Sequence, residues 1–119
     1  MIEKYSFGAI VIDGKEYNYD VEVRWTGEIL KWQRKEGHVV DIEDVERAVE
    51  QNPDTIIIGT GAFGVCKVKK DCQEFIEKKG IKLVIDNTEK AIKIFNDLLQ
   101  KLAKEEQEGK IIGLFHLTC

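Results

Sequence analysis

The segment Thr55-Ile56-Ile57-Ile58-Gly59 constrains this chain more than any other. A wholly apolar, β-branched run too short for a helix reads as a central strand covered on both faces. The run Ile81 to Ile85 reads as a second buried strand. Between them, Lys69 to Lys79 forms a helix with Cys72, Phe75 and Ile76 on one face and Gly80 as its stop. The unit from Thr55 to Ile85 is therefore expected to be a right-handed parallel crossover.

The N-terminal third has a different period. Tyr5 to Ile12 reads as one strand ending at Asp13-Gly14, a hairpin signal. The next strand puts Tyr17, Tyr19, Val21, Val23 and Trp25 on one face, with Asn18, Asp20, Glu22 and Arg24 toward solvent. Thr26-Gly27 turns into a third strand near Glu28 to Gln33, and Gly37-His38 closes this meander. Asp41 caps a helix running to about Gln51, with Ile42, Val45 and Val49 as its stripe. Asn52-Pro53-Asp54 breaks it. Val65 to Val68 reads as a short strand. Thr88 is placed to cap the longest helix, about Glu89 to Glu106, and Ile111 to His116 is a last apolar strand. The predicted fold is a three-layer α/β domain over residues 1–119, with a central mixed sheet, helices packed on it and an N-terminal antiparallel β-hairpin layer.

Composition excludes several classes. Hydrophobic residues at 43% and a net charge of only −4 rule out disorder. No apolar run approaches the length of a membrane span. Met1-Ile2-Glu3-Lys4 lacks the apolar stretch of a secretion signal. Lys and Glu are interspersed without a basic stripe, so neither nucleic acid nor membrane is an expected partner. The odd number of cysteines, Cys66, Cys72 and Cys119, fits a reducing cytoplasm, and their spacing lacks a C-x-x-C pair, so no metal is expected.

Two candidate sites remain. Gly59-Thr60-Gly61-Ala62-Phe63-Gly64 has the G-x-G-x-x-G spacing, and Asp86 ends the next strand. In dinucleotide folds, however, those glycines open a helix whose N-terminus faces the pyrophosphate. Here the extended Val65-Cys66-Lys67-Val68 intervenes, so no cofactor is expected. What survives is a loop of Gly59, Thr60, Gly61, Phe63 and Gly64 whose amides form a nest for a small anion, with His38 or His116 nearby. His116-Leu117-Thr118-Cys119 is a weak nucleophile arrangement, because alternation sends imidazole and thiol to opposite faces. Trp25 and Trp32 flank a turn and are expected to pack; exposed, they would serve as interface anchors.

These segments carry a resemblance. Phe7-Gly8, Ile12, Gly14, Tyr17 and Asp20 are followed by Gly37-His38 and by Pro53 to Gly61 with Gly64. Thr88, Ala91, Phe95-Asn96 and Leu99 then precede the closing His116-Leu117-Thr118-Cys119. The pattern resembles the small-domain family of the adipogenesis-associated domain-containing protein, to which mitochondrial complex I assembly factor three is related. The resemblance implies a three-layer α/β fold, no established enzymatic activity or cofactor, and a role in protein assembly or regulation. The run Lys104-Glu105-Glu106-Gln107-Glu108 departs from that pattern. The function expected is thus a non-enzymatic cytoplasmic domain acting through an unidentified protein partner. The alternative is a small-ligand or anion-binding protein, or an enzyme, built on Gly59–Gly64.

Overall fold

A computed structural model describes residues 1–119. Three strands, β1 (Ile2–Ser6), β2 (Ala9–Ile12) and β3 (Lys15–Tyr17), form an antiparallel sheet in that order. The expected single strand from Tyr5 is instead a hairpin, folded back at Phe7-Gly8, where Gly8 has φ +81°. At Asp13-Gly14 both residues have positive φ, the pattern of a type I′ turn.

The second expected strand is also divided. Asn18, Tyr19 and Asp20 carry the chain from one sheet to another, so β4 (Val21–Arg24) begins a separate sheet with β5 (Ile29–Lys31). After the short β6 (Val39–Val40) comes α1 (Ile42–Val49), then β7 (Thr55–Thr60), β8 (Lys67–Val68) and α2 (Lys70–Lys78). The chain ends with β9 (Lys82–Asp86), α3 (Thr88–Lys104) and β10 (Ile111–His116). The large sheet has the order β5-β4-β10-β7-β9. The last strand in sequence is its centre, parallel to β7 and antiparallel to β4. β7 and β9 are parallel, as the crossover requires.

Each face of this sheet has its own core. On one, Ile56, Ile58, Ile112 and Leu114 pack under α1 and α2 with Val45, Cys72 and Ile76. On the other, Ile57, Phe115 and Val23 pack against α3 and the small sheet through Phe95, Ile92 and Ile10. This is the three-layer arrangement, with α3 and the small sheet sharing one layer. Trp32 is buried and its Nε1 donates to the Asp44 carbonyl at 2.9 Å, while Trp25 is half-buried against the first core.

Three expectations need correction. Glu22, placed on the solvent face, is 1% exposed, because β4 lies inside the large sheet and α1 sends Arg47 over that face. Its carboxylate accepts from Arg24 Nε at 2.7 Å and Arg47 Nε at 3.1 Å. β9 is an edge strand and only half-buried, since nothing pairs beyond it. Finally, Asn87 caps α3 by accepting from the Lys90 amide at 3.0 Å. Thr88 is the first helical residue and fully buried.

Candidate functional site

The parallel strands β7, β9 and β10 all end on one side, where open α/β sheets place ligands. Register puts His116 beside Thr60. The C-terminal segment Leu117-Thr118-Cys119 continues over the loop that follows β7. Gly61 there has φ +99°, and a side-chain carbon on it would lie 2.6 Å from the Thr118 carbonyl oxygen. Only glycine fits both demands.

Thr88 fastens this corner. Its hydroxyl donates to the His116 carbonyl and accepts from the Gly61 amide at 2.8 Å. The amide of Ala62 donates to Thr118 O at 2.7 Å and that of Gly64 to Gly61 O at 3.3 Å. The amides of Gly61, Ala62 and Gly64 in this loop are thus donors within the chain. Gly59 and Thr60 lie in β7, and the Thr60 hydroxyl donates to the Asp86 carbonyl at 3.1 Å.

His116 is 6% exposed and is gathered into a charged cluster that the sequence analysis did not assemble. Asp20 Oδ2 lies 2.8 Å from His116 Nδ1 and 2.9 Å from Arg34 Nη2, while Asp20 Oδ1 accepts from the Leu117 amide at 2.8 Å. Arg34 Nη2 also stands 2.7 Å from the same Nδ1. One ring nitrogen cannot donate to the carboxylate and accept from the guanidinium at once. The carboxylate is the acceptor that can take an N–H from both neighbours, so Nδ1–H donates to Asp20. Nε2 then faces the Thr118 hydroxyl at 3.4 Å.

Arg34 reaches the cluster from the loop after β5. Its Nη1 donates to the Gly37 carbonyl at 2.9 Å and lies 3.2 Å from Cys66 Sγ, and the guanidinium sits 5.1 Å above the Trp32 ring centre. Its Nε is buried without an acceptor. Burial pushes the Asp20 carboxyl up, but the bonds from His116, Leu117 and Arg34 outweigh it and hold the group below its ordinary 3.8. Burial raises the Cys66 thiol against the opposing Arg34 charge, and pushes the Cys72 thiol up to about 12. Both thiols are therefore poor nucleophiles at neutral pH. Tyr5, raised by burial and by the charges of Asp20 and Glu89, donates its hydroxyl to the Leu117 carbonyl at 2.8 Å.

Of the candidate residues, Gly61, Gly64, Thr60 and His116 converge at this corner. The His38 side chain is exposed and makes no hydrogen bond there, although the His38 carbonyl accepts from the Lys67 amide. Phe63 is 75% exposed and Phe7, on the β1–β2 turn, is 59% exposed, with ring centres 6.3 Å apart. Asp20, Arg34, Cys66 and Thr88 are the members that sequence reasoning missed. The turn-forming residues Asn18 and Asp20, set inside an otherwise regular alternation, are the signal that could have placed a strand break there. The larger grooves on the surface are lined by none of Asp20, Arg34 or His116. No group of three or more His, Cys, Asp or Glu side chains is placed to hold a metal ion. No helix is long and apolar enough to cross a membrane.

A family model described as a protein of unknown function (DUF498/DUF598) matches residues 2–105. Among solved structures, a conserved hypothetical protein from Pyrococcus horikoshii OT3 superposes with a TM-score of 0.86 at 24% identity, covering 100% of this chain and 99% of that one. A protein from Bartonella henselae described as an outer membrane protein gives 0.77 at 19% identity, over 99% and 94%. The Rpa2829 protein of Rhodopseudomonas palustris gives 0.72 at 18% identity, over 98% and 83%. At these identities the likeness establishes the fold alone. By the family match, this chain belongs to the DUF498/DUF598 family.

Proposed function

We propose that this DUF498/DUF598 member is a non-enzymatic binding domain that acts in the cytoplasm through contacts with another protein. Its contact face is the rim where β7 and β10 end. The observation that carries this reading is the aromatic pair Phe7 and Phe63, 59% and 75% exposed and in mutual contact range at 6.3 Å. Single exposed apolar residues need no explanation, but two large rings grouped on rigid turns present an anchor of the kind interfaces use. Gly59, Thr60, Gly61 and Gly64 shape that rim, and the Asp20–His116–Arg34 cluster clamps it from beneath. The resemblance to the adipogenesis-associated and complex I assembly proteins favours an assembly-type role. Against the anion-binding alternative stand the loop amides already donating inside the chain and the Arg34 N–H groups already directed at Asp20 and Gly37.

The test is a photo-crosslinking phenylalanine analogue at position 63, with the exposed position 82 on β9 as control. In cells of the native host, position 63 is expected to give one discrete protein adduct that position 82 does not give. No adduct from position 63, joined to a metabolite that raises the Tm of the purified protein, would overturn the reading in favour of the ligand alternative.

A further inference from the structure

The opposite end of the parallel strands carries a second feature, independent of the aromatic rim. A groove of about 710 Å³ runs between the C-terminal end of α1 and the end of α2. Half-buried Phe75, with the almost fully buried core residues Val49 and Ile81 behind it, forms its apolar part, and Glu46, Glu50 and Asp54 supply three carboxylates against one lysine, Lys79. The Asp54 carboxylate accepts from the Lys110 amide at 3.0 Å, and Lys79 Nζ sits 5.6 Å over the Phe75 ring.

Glu46 and Glu50 break two local rules. They are like charges at i and i+4 on one helix face, a destabilising arrangement. They also stand at the helix C-terminus, where the dipole favours cations. Arg47, the only basic residue of that last turn, turns away to Glu22 at 3.1 Å and to the Lys31 carbonyl at 2.8 Å. Neither glutamate has a cationic partner in the chain. Uncompensated local conflict of this kind is expected at functional positions.

We infer that this groove receives a short basic segment of another protein, which seats an apolar side chain on Val49, Phe75 and Ile81 and pairs its flanking cations with Glu46 and Glu50. Charge complementarity selects this occupant. An acidic segment would meet repulsion, and a purely apolar one would leave both carboxylates unpaired.

The experiment titrates ¹⁵N-labelled protein with a synthetic amphipathic Lys/Leu peptide and with an Asp/Leu peptide of matching spacing. Amide shifts are expected to cluster at Glu46 to Asp54 and Phe75 to Ile81 with the basic peptide alone. The E46Q/E50Q variant should weaken binding about tenfold at low salt, since two exposed pairs are lost. The same variant should melt no lower than the parent, because it removes a repulsion, so loss of binding cannot be laid to unfolding. Shifts centred elsewhere, equal binding of the acidic peptide, or unchanged affinity in E46Q/E50Q would each overturn the inference. Shifts at Phe7 and Phe63 instead would locate the peptide on the aromatic rim.

Discussion

Replacing Asp20 with Asn should destabilise the protein by about 3 kcal/mol, at the lower end of the 3–5 kcal/mol that follows removal of one partner from a buried ion pair. The side chain of Arg34 is 5% exposed and that of Asp20 17% exposed, so the pair retains little solvent. Asn preserves the shape and can still accept from the Leu117 amide. It cannot neutralise Arg34, and it accepts from His116 more weakly than a carboxylate does. For a chain of this length, about 3 kcal/mol corresponds to a fall in Tm of roughly 10 °C. Urea unfolding followed by circular dichroism measures it, with an unchanged m-value indicating that only stability moved. The pH dependence supplies a second reading. Asp20 is held below its ordinary 3.8 in the folded state, so its contribution is complete above that value and drains as the pH falls below it. The gap between parent and D20N should be flat near neutrality and close in acid. A loss under about 1 kcal/mol, or a gap that closes as the pH rises, would refute the clamp, since exposed pairs contribute only that much.

Two further perturbations probe the same corner. Thr88→Val keeps the volume but strips the hydroxyl from between the Gly61 amide and the His116 carbonyl, leaving both buried groups without it. It should cost about 2–4 kcal/mol in chemical denaturation, and a value near zero would mean that water replaces the hydroxyl. Gly61→Ala places a carbon 2.6 Å from the Thr118 oxygen at φ +99° and should loosen the C-terminal segment. Hydrogen exchange at Ala62 and Gly8, which donate to Thr118 and Leu117, should accelerate, and unchanged protection there would show that the segment does not depend on this glycine.

Periodicity located most elements because burial follows it. The run from Thr55 is uniformly buried, as a strand with covered faces must be, and the stripes of α1 and α3 point at their cores. The failures share one cause. Alternation from Tyr17 to Trp25 runs across a change of sheet: Tyr17, Val21 and Val23 reach the same core, while Tyr19 between them is 42% exposed and Trp25 packs on the other core. The pattern therefore reads as one strand although the backbone leaves one ladder and joins another. Glu22 deceived for a related reason: a charged residue on a strand signals solvent unless a distant helix delivers its counter-ion, and Arg47 is 25 residues away. Asp20, Arg34 and His116 were illegible together because their separations, up to 96 residues, carry no local periodicity. The loop through Gly61 and Gly64 was legible because turn chemistry is local.

The position of β10 gives that corner its meaning. The last strand is the middle of the large sheet, so neither β4 nor β7 gains its inner partner until the end of the chain is in place. Loop closure must precede these pairings, which makes their formation late and cooperative. The residues after β10 then bind what came first: the Leu117 carbonyl takes the Tyr5 hydroxyl and the Gly8 amide, while the Leu117 amide donates to Asp20. Phe7 is brought to Phe63 only through this stitching, since each ring rides on a different turn. The aromatic rim is therefore a property of the completed fold rather than of any segment of it. A partner that reads both rings at once would discriminate the finished domain from a chain still assembling. A partner that reads Phe63 alone would discriminate less, because that exposed ring can be presented before Phe7 has been brought beside it.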